Sequence, residues 1–230
     1  MPDRLYFTDS DAANALIAAD PMALLVGFEL DQQVTVQKAF TGPLALRERL
    51  GALDAATLAS ADLEPVFRER PPIHRYPKSM AERVHELAVH VRDRYDGDAA
   101  RIWTEASDSD ALRGNLAALP GFGEMKIKGL GAVLAKRFGV EAARDLVPWH
   151  PTLGDVDSPQ ALADYLAAKK IHKAEWAKAR AGSQPISTPP RSNRCSEMFD
   201  ARSRSSGATA PRAVGQHSTR VRRLPVVTPM

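Results

Sequence analysis

The stretch Leu119-Pro120-Gly121-Phe122-Gly123 constrains the fold of this chain more than any other feature. Apolar residues at helical spacing precede it, and a second amphipathic pattern follows it. Two glycines on either side of one residue permit a tight turn, because glycine has no Cβ to oppose a positive φ or to block a close approach. The amides that begin the second helix, at the positive end of its dipole, suit a bound phosphate. The pattern therefore predicts two short helices joined by a turn that can bind an anion through its backbone.

The composition narrows the kinds of site that the chain can build. Cys195 is the only cysteine among 230 residues, so one chain holds neither a disulfide nor an iron–sulfur or zinc site made of cysteines. No apolar run is long enough to span a bilayer, and the N-terminus lacks the apolar core of a signal peptide. We therefore expect a cytoplasmic protein that contacts no membrane and uses no metal or cofactor.

Charge is distributed unevenly along the chain. Residues 183–230 carry eight arginines against one aspartate and one glutamate, a net charge of +6, whereas residues 1–182 carry 23 Lys and Arg against 26 Asp and Glu, a net charge of −3. The basic residues of the tail therefore say nothing about nucleic-acid binding by the body. The tail is rich in Ser, Pro and Arg and has no hydrophobic periodicity. We predict a folded domain over residues 1–182 and a disordered tail over residues 183–230.

Helical patterns fill the predicted folded domain, and no stretch shows the alternation of a strand. We expect an all-α body whose last helix begins at Ser158-Pro159 and ends near Gly182. A break is predicted at Thr41-Gly42-Pro43, within the helical pattern from Val34 to Leu50. Four further residues are predicted to cap helices: Asp20, with Pro21 at the first helical position; Asp54; Asp62; and Ser79, before a helix over Met80–Tyr95.

A second motif lies about ninety residues before the glycine turn. It reads Asp20-Pro21-Met22-Ala23-Leu24-Leu25 and continues as Leu30-Asp31-Gln32-Gln33-Val34. With both motifs present in this order, the chain resembles the helix-hairpin-helix superfamily of base-excision DNA glycosylases, and within it a small bacterial branch. The resemblance covers about residues 9–182. It implies a two-lobed, all-α DNA glycosylase-like fold, and a nucleoid-associated monomer that acts on duplex DNA containing a damaged or mismatched base.

The resemblance also implies how individual residues contact DNA. The turn Gly121-Phe122-Gly123 would hold a phosphate through its backbone, and Lys126 would add a phosphate contact. Gln33, with Gln32 as the neighbouring alternative, would enter the space that a flipped nucleotide leaves, because an amide both donates to and accepts from an orphaned base. The proline-rich stretch Pro71–Pro77 either lines the DNA groove or connects the lobes, and we favour the connector.

Base release requires a carboxylate, because breaking the N-glycosidic bond develops positive charge on the sugar. The superfamily supplies one aspartate about twenty residues beyond the second glycine of the turn. Asp155 lies just before the last helix and is our first choice, although it requires an insertion of about ten residues. Asp145 fits the spacing and is the second choice. Asp157 is the third, with helix capping as its other interpretation.

The resemblance further predicts the type of reaction. Superfamily members that also cut the strand carry a lysine where this chain has Met125, and Lys126 lies one residue later, about 100° around the helix. We therefore expect a monofunctional DNA N-glycosylase that uses water as the nucleophile and has no lyase activity. Two alternatives stay open: a non-catalytic DNA-binding module that recognises distorted duplex, and a helical interaction protein in which the glycine turn is only structural.

Overall fold

The structure is a computed structural model that describes the backbone of residues 2–182 and the side chains of residues 2–170. The tail that is predicted to be disordered, residues 183–230, lies outside the described residues. Contacts group Met1–Gln184 into one compact unit. All regular elements in the described part of the chain are helical, as the sequence predicts. They are α1 (Asp11–Ala19), α2 (Pro21–Leu30), α3 (Val36–Leu50), α4 (Ala55–Ser60), α5 (Leu63–Arg68), α6 (Pro77–Tyr95), α7 (Arg101–Thr104), α8 (Ser109–Ala117), α9 (Glu124–Arg137) and α10 (Pro159–Gly182), with 3-10 helices at Glu141–Leu146 and Leu153–Asp155.

Helix α2 is the central helix of the first half of the chain, and it begins where the sequence predicts. The Asp20 carboxylate accepts hydrogen bonds from the amides of Met22 and Ala23 at 2.8 and 3.2 Å. Pro21 occupies the first helical position, where its missing N–H leaves no partner unsatisfied. All residues from Met22 to Leu30 are buried, so α2 is enclosed on every side.

Helix α3 corrects the predicted break at Thr41-Gly42-Pro43, because it runs through Pro43 without interruption. Pro43 lacks the amide that would continue the hydrogen-bond ladder. The preceding turn is supported instead by the Thr41 hydroxyl, which donates to the carbonyls of Gln37 and Lys38. A Cβ on Gly42 would lie 2.4 Å from the Leu30 side chain, so α2 and α3 pack in close contact here. Burial of this face outweighs the local cost of proline in a helix.

Helix α6 also begins differently from the prediction. It starts at Pro77 rather than after Ser79, and Tyr76 is its N-cap residue. Proline has the φ of a first helical residue already set, so the helix begins two residues before the predicted capping serine. Ser79 lies inside the first turn of α6, so the predicted cap at Ser79 is wrong.

The principal helix contacts fall into two groups. In one, α2 packs on α1, α3 and α6, and α4 and α5 pack on α6; in the other, α9 packs on α8 and on both 3-10 helices. This grouping is compatible with the two predicted lobes, which stay a prediction. Among the described residues, no single helix is long and apolar enough to cross a membrane; α1 and α2, bent by 116° from each other, meet that test only as a pair.

Candidate functional site

The two glycines of the turn between α8 and α9 have different roles. Gly121 has a backbone conformation that favours glycine, whereas Gly123 leaves open space beside the start of α9. Gly121 has a φ of 78°, in the left-handed region that favours glycine. The Phe122 side chain is buried, and its amide donates to the Leu119 carbonyl at 3.2 Å. Gly123 is the N-cap of α9 with an ordinary φ of −91°, and a Cβ there would have no atom within 4 Å. The backbone at the start of α9 is therefore open to an approaching molecule.

The first amides of α9 are available for an anion. Those of Gly123, Glu124 and Met125 have no hydrogen-bond partner among the described residues, and no side chain caps the helix. The Glu124 carboxylate lies at the same terminus, where a negative charge would oppose an incoming phosphate. Hydrogen bonds from Lys128 and from Arg113 lower the pKa of Glu124, and the Arg113 guanidinium lies 2.7 Å from both carboxylate oxygens. These two cations offset the Glu124 charge.

The glycine turn packs directly on the end of α2. A Cβ on Gly121 would lie 2.4 and 2.5 Å from the two carboxylate oxygens of Glu29, closer than real Cβ contacts come. The Glu29 side chain is fully buried. Only glycine at position 121 therefore allows this carboxylate to sit against the turn. The contact joins two segments that are about ninety residues apart in the sequence.

Glu29 is the centre of a buried polar network. Its Oε2 accepts a hydrogen bond from Lys126 Nζ at 2.6 Å, and its Oε1 lies 3.6 Å from an Arg83 guanidinium nitrogen. Burial raises the pKa of Glu29 and lowers the pKa of Lys126, in each case by more than the attraction between the charges offsets. Lys126 Nζ also lies 5.1 Å from the centre of the Phe122 ring. The ion pair thus connects α2, the glycine turn and α9.

The two predicted glutamines differ in how they are held. Gln32 donates to Glu29 Oε1 at 3.1 Å and accepts from Arg83 at 2.9 Å, so its amide is occupied within the buried network. Gln33 is exposed, has a left-handed φ of 56°, and accepts one hydrogen bond, from the Tyr76 hydroxyl at 3.1 Å. The amide NH₂ of Gln33 has no partner among the described residues. Gln33 is therefore the glutamine that is free to contact a ligand, and Gln32 holds the turn in place.

The proline-rich stretch Pro71–Pro77 contacts the turn formed by Gln32 and Gln33 through the side chains of His74 and Tyr76. His74 is 1% exposed, and its Nε2 lies 3.1 Å from the Gln32 carbonyl. Its Nδ1 accepts a hydrogen bond from the Tyr76 amide at 3.0 Å. These partners assign the proton to Nε2, so the imidazole is neutral and donates to the Gln32 carbonyl. Burial lowers the pKa of His74 and favours this neutral form.

We expect the free energy of unfolding to fall as the pH is lowered from 7 to 5. Burial holds the pKa of His74 below its ordinary value of 6.5, so below pH 6.5 the unfolded chain binds a proton that the folded protein does not. The stabilisation is complete above pH 6.5 and is lost as the pH falls towards the lowered pKa. Urea unfolding at pH 5, 6 and 7 measures this dependence.

The matched comparison for this pH dependence is His74→Gln, whose amide nitrogen can replace Nε2 as the donor. The pH dependence should be weaker in this variant. Burial also lowers the pKa of His90, but that contribution is the same in both proteins. Equal slopes of stability against pH in the variant and the wild type would contradict the assignment.

Lys126 and Met125 occupy different environments. Lys126 is predicted as a phosphate contact, yet its side chain is only 14% exposed and its ammonium is bonded to Glu29. Met125, at the position where strand-cutting relatives would carry lysine, is 77% exposed. The structure therefore gives Lys126 an internal partner, and its contact with phosphate stays a prediction.

Asp155, the first choice for the catalytic carboxylate, is saturated by local partners. Its Oδ1 accepts from Lys136 Nζ at 2.6 Å, and its Oδ2 accepts from the amide and hydroxyl of Thr152 at 2.8 and 3.1 Å. Burial opposes ionisation, but these bonds outweigh it and lower the pKa of Asp155. Lys136 lies ten residues beyond Lys126, about 15 Å along α9. Asp155 therefore lies beside the C-terminal end of α9, whereas the glycine turn is at its N-terminal end.

Asp145, the second choice, lines an open cleft away from the glycine turn and the glutamine pair. It is exposed on the first 3-10 helix, and its Oδ2 accepts a hydrogen bond from the Ser109 hydroxyl at 3.0 Å. The open cleft beside it has a volume of about 490 Å³ and is also lined by Trp103, Asp108 and Glu141. None of the residues lining this cleft belongs to the glycine turn or the glutamine pair. The structure joins those two motifs but places neither aspartate in hydrogen-bond contact with them.

Sequence reasoning missed the residues that hold the site together. Glu29 carried the clearest signal, because it is the only charged residue within the apolar run from Met22 to Leu30, and such a residue is almost never buried unpaired. His74 and Tyr76 stood in a stretch interpreted mainly as a connector. Arg83 had no signal that distinguishes it from the other charges of an amphipathic helix.

Comparison of the chain with protein-family models, with curated proteins and with solved structures found no match. The chemistry of the site must therefore be inferred from its own groups. Among the described residues, no group of three or more His, Cys, Asp or Glu is placed to hold a metal ion. The site instead offers backbone amides at the start of α9, the exposed amide of Gln33, and the cluster of Glu29, Lys126 and Arg83.

Proposed function

We propose that this protein binds duplex DNA through its backbone and releases a damaged or mismatched base by hydrolysing the N-glycosidic bond, without cutting the strand. The observation that carries the proposal is the contact between the glycine turn and the end of α2, where Gly121 packs on Glu29. This contact brings open backbone amides and an exposed glutamine into one region. A phosphate-binding turn and a glutamine at the DNA groove are what the resemblance to helix-hairpin-helix DNA glycosylases implies.

The start of α9 supplies the proposed phosphate site. Three of its amides have no partner among the described residues, and the helix dipole favours a negative charge at this end. Lys128 and Arg113 lie within bonding distance of Glu124 at the same terminus, so positive charge is concentrated locally on a body whose net charge is negative. Such contacts position DNA and carry no sequence preference.

Gln33 is proposed to enter the gap that a flipped nucleotide leaves. Its backbone is held by the turn over His74, and its side chain is held only through the Tyr76 hydroxyl. The free amide NH₂ can donate to the orphaned base, and the carbonyl can accept from it once the Tyr76 bond is released. We place this activity in the cytoplasm, on the nucleoid, and expect the protein to act as a monomer.

One observation favours a second candidate, a DNA-binding module without catalysis. Both predicted catalytic aspartates are engaged elsewhere, Asp155 by Lys136 and Thr152, and Asp145 by Ser109. A site without an available carboxylate could recognise a distorted duplex but would not stabilise the sugar cation. Measuring base release separately from binding distinguishes the two candidates.

The first experiment measures binding of the full chain to duplexes that carry a single deaminated, alkylated, oxidised or mismatched base. We expect the affinity to fall steeply with salt, about 40-fold between 50 and 200 mM for three phosphate contacts. Gln33→Ala should weaken binding to the damaged duplex by about tenfold, the equivalent of about 1.4 kcal/mol. The control is Gln160→Ala, which changes an exposed glutamine on α10. Salt-independent affinity, or equal effects of the two substitutions, would count against the proposed interface.

Base release is then measured in single turnover on the same duplexes, with Asp155→Asn and Asp145→Asn alongside the wild type. Release by the wild type supports the glycosylase, and its loss in one variant identifies that carboxylate. Salt-sensitive binding without release from any duplex would favour the non-catalytic module. Two results would agree with the absence of lyase chemistry at Met125: no strand cleavage before alkali is added, and no covalent protein–DNA adduct when borohydride is present.

A further inference from the structure

One carboxylate beside the glutamine turn makes none of the hydrogen bonds described so far. Asp31 follows the last residue of α2 and directly precedes Gln32 and Gln33. It is half-buried, and its side chain accepts no hydrogen bond from any residue that the structure describes. A carboxylate that is partly removed from water normally has such a partner. Among the described side chains of this region, Asp31 is therefore the carboxylate whose oxygens accept no hydrogen bond.

Two lysines from different helices act on the charge of Asp31. It interacts electrostatically with Lys126, on the first turn of α9, and with Lys169, on α10. Tyr165 stands on the same helix as Lys169, whose ammonium lies 5.7 Å from the centre of the tyrosine ring. Burial, followed by the charges of Asp31 and Asp155, raises the pKa of Tyr165 to about 12, so its hydroxyl keeps its proton.

Burial and the nearby lysines act in opposite directions on the charge of Asp31, and the lysines favour the ionised form that can stabilise a cation. Burial raises the pKa of Asp31 from its ordinary 3.8, while Lys169 and Lys126 oppose that shift. Neither lysine hydrogen-bonds the carboxylate, so both act through space. In contrast, Asp155 has both oxygens occupied by Lys136 and Thr152. A carboxylate saturated in this way has little capacity left for charge that develops on a substrate.

We propose that Asp31 is the catalytic carboxylate of the base-release reaction. The inference rests on the proposed function. It assigns the role to a residue near the end of α2, and not to an aspartate about twenty residues beyond Gly123, as the resemblance implies. Asp31 lies two residues before Gln33, the residue proposed to hold the orphaned base, and two residues after Glu29, which packs against Gly121. Asp155 is instead bonded to Lys136 near the C-terminal end of α9, and Asp145 lines a separate cleft. A sugar bound between Gln33 and the start of α9 is therefore proposed to meet the Asp31 carboxylate.

The reaction balances without a cofactor. The bond between the sugar C1′ and the base nitrogen breaks, and its electron pair leaves with the base. The Asp31 carboxylate stabilises the positive charge on the sugar and accepts a proton from water, while the water oxygen forms a bond to C1′. The base takes up one proton from solvent, and Asp31 later returns its proton to solvent. The products are the free base and an abasic sugar.

The test compares Asp31→Asn with Asp155→Asn in the full chain, on the duplex for which wild-type release is fastest. We expect Asp31→Asn to slow single-turnover release by about 100-fold or more while the duplex affinity changes less than about threefold. Asp155→Asn should keep release within a few-fold of the wild type. Circular dichroism checks the fold of each variant, and Asp31→Ser takes the place of Asp31→Asn if that variant does not fold.

The outcomes separate the two proposals. Near wild-type release by Asp31→Asn overturns the assignment to Asp31, and the proposed function still stands because base release is observed. Loss of release only in Asp155→Asn or Asp145→Asn overturns it in the same way and names the other aspartate. If the wild type releases no base from any duplex, the proposed function itself fails, and the assignment of a catalytic carboxylate fails with it.

Discussion

Replacing Gly121 by alanine is expected to destabilise the protein by about 3 kcal/mol. An L residue at a φ of 78° is strained by about 1 kcal/mol. The new Cβ would also lie 2.4 Å from a carboxylate oxygen of Glu29, which is fully buried and cannot move without breaking its bond to Lys126. Urea unfolding followed by circular dichroism gives the change in the free energy of unfolding.

The control for this substitution is Gly123→Ala, two residues further along the same turn. Gly123 has a φ of −91°, and a Cβ there would meet no atom within 4 Å. Its free energy of unfolding should therefore change by less than about 0.5 kcal/mol. If both substitutions destabilise the protein equally, the contact between Gly121 and Glu29 is not the constraint that the structure indicates.

Replacing Lys126 by methionine is expected to cost about 3 kcal/mol of stability, because it leaves the Glu29 carboxylate buried without its closest partner. Arg83 stays 3.6 Å from Glu29 Oε1, and Gln32 still donates one hydrogen bond to the same oxygen. The loss of stability should therefore lie near the lower end of the range found when one partner of a buried ion pair is removed. The control is Lys128→Met, since this lysine is exposed and pairs only with Glu124 at the surface. That substitution should leave the unfolding midpoint nearly unchanged.

The double variant Glu29→Gln with Lys126→Met tests the cause of the loss. A neutral amide at position 29 removes the buried charge, and its oxygen can still accept the hydrogen bond from Gln32. We expect the double variant to recover more than half of the stability lost in Lys126→Met. Losses that simply add would show that the two side chains act independently, and the ion pair would then lose its structural role.

The main effect of the buried pair of Glu29 and Lys126 is to fix how the glycine turn, α2 and α9 are arranged, rather than to raise the free energy of unfolding. The pKa of Glu29 is raised and that of Lys126 lowered, so desolvation disfavours both charged forms more than their attraction favours them. An apolar pair of similar size would be at least as stable. The charged pair instead requires the glycine turn, α2 and α9 to meet in one arrangement, which holds the open amides near Gln33.

The sequence predicted the local features of this site well. The cap at Asp20, the turn at Gly121 and the last helix from Pro159 depend on neighbouring residues, whose backbone preferences operate over a few positions. The break predicted at Pro43 was wrong, because the packing of α3 on α2 outweighs the cost of one proline. Local rules fail where a distant surface supplies more free energy than the local preference.

The candidate carboxylates show the same limit. Spacing and context selected Asp155 and Asp145, but neither criterion reports which partner a side chain meets across the fold. Lys136 bonds one oxygen of Asp155 and Ser109 bonds Asp145, and these two partners lie 19 and 36 residues away in the sequence. Asp31 has no such sequence signal, since nothing in its neighbours indicates that it is half-buried without a hydrogen bond from a described residue.

The sequence by itself determined that the body is helical, where most helices begin, and that a left-handed glycine turn precedes α9. Each of these depends on backbone preferences and on the period of the apolar residues, which are properties of a short segment. Only the tertiary structure decided that the turn lies on Glu29, that Gln33 rather than Gln32 is free, and that Asp31 stands beside them. These relations depend on burial and on partners up to about a hundred residues away, and the free energy of a buried charge is set by those partners rather than by its neighbours in the chain.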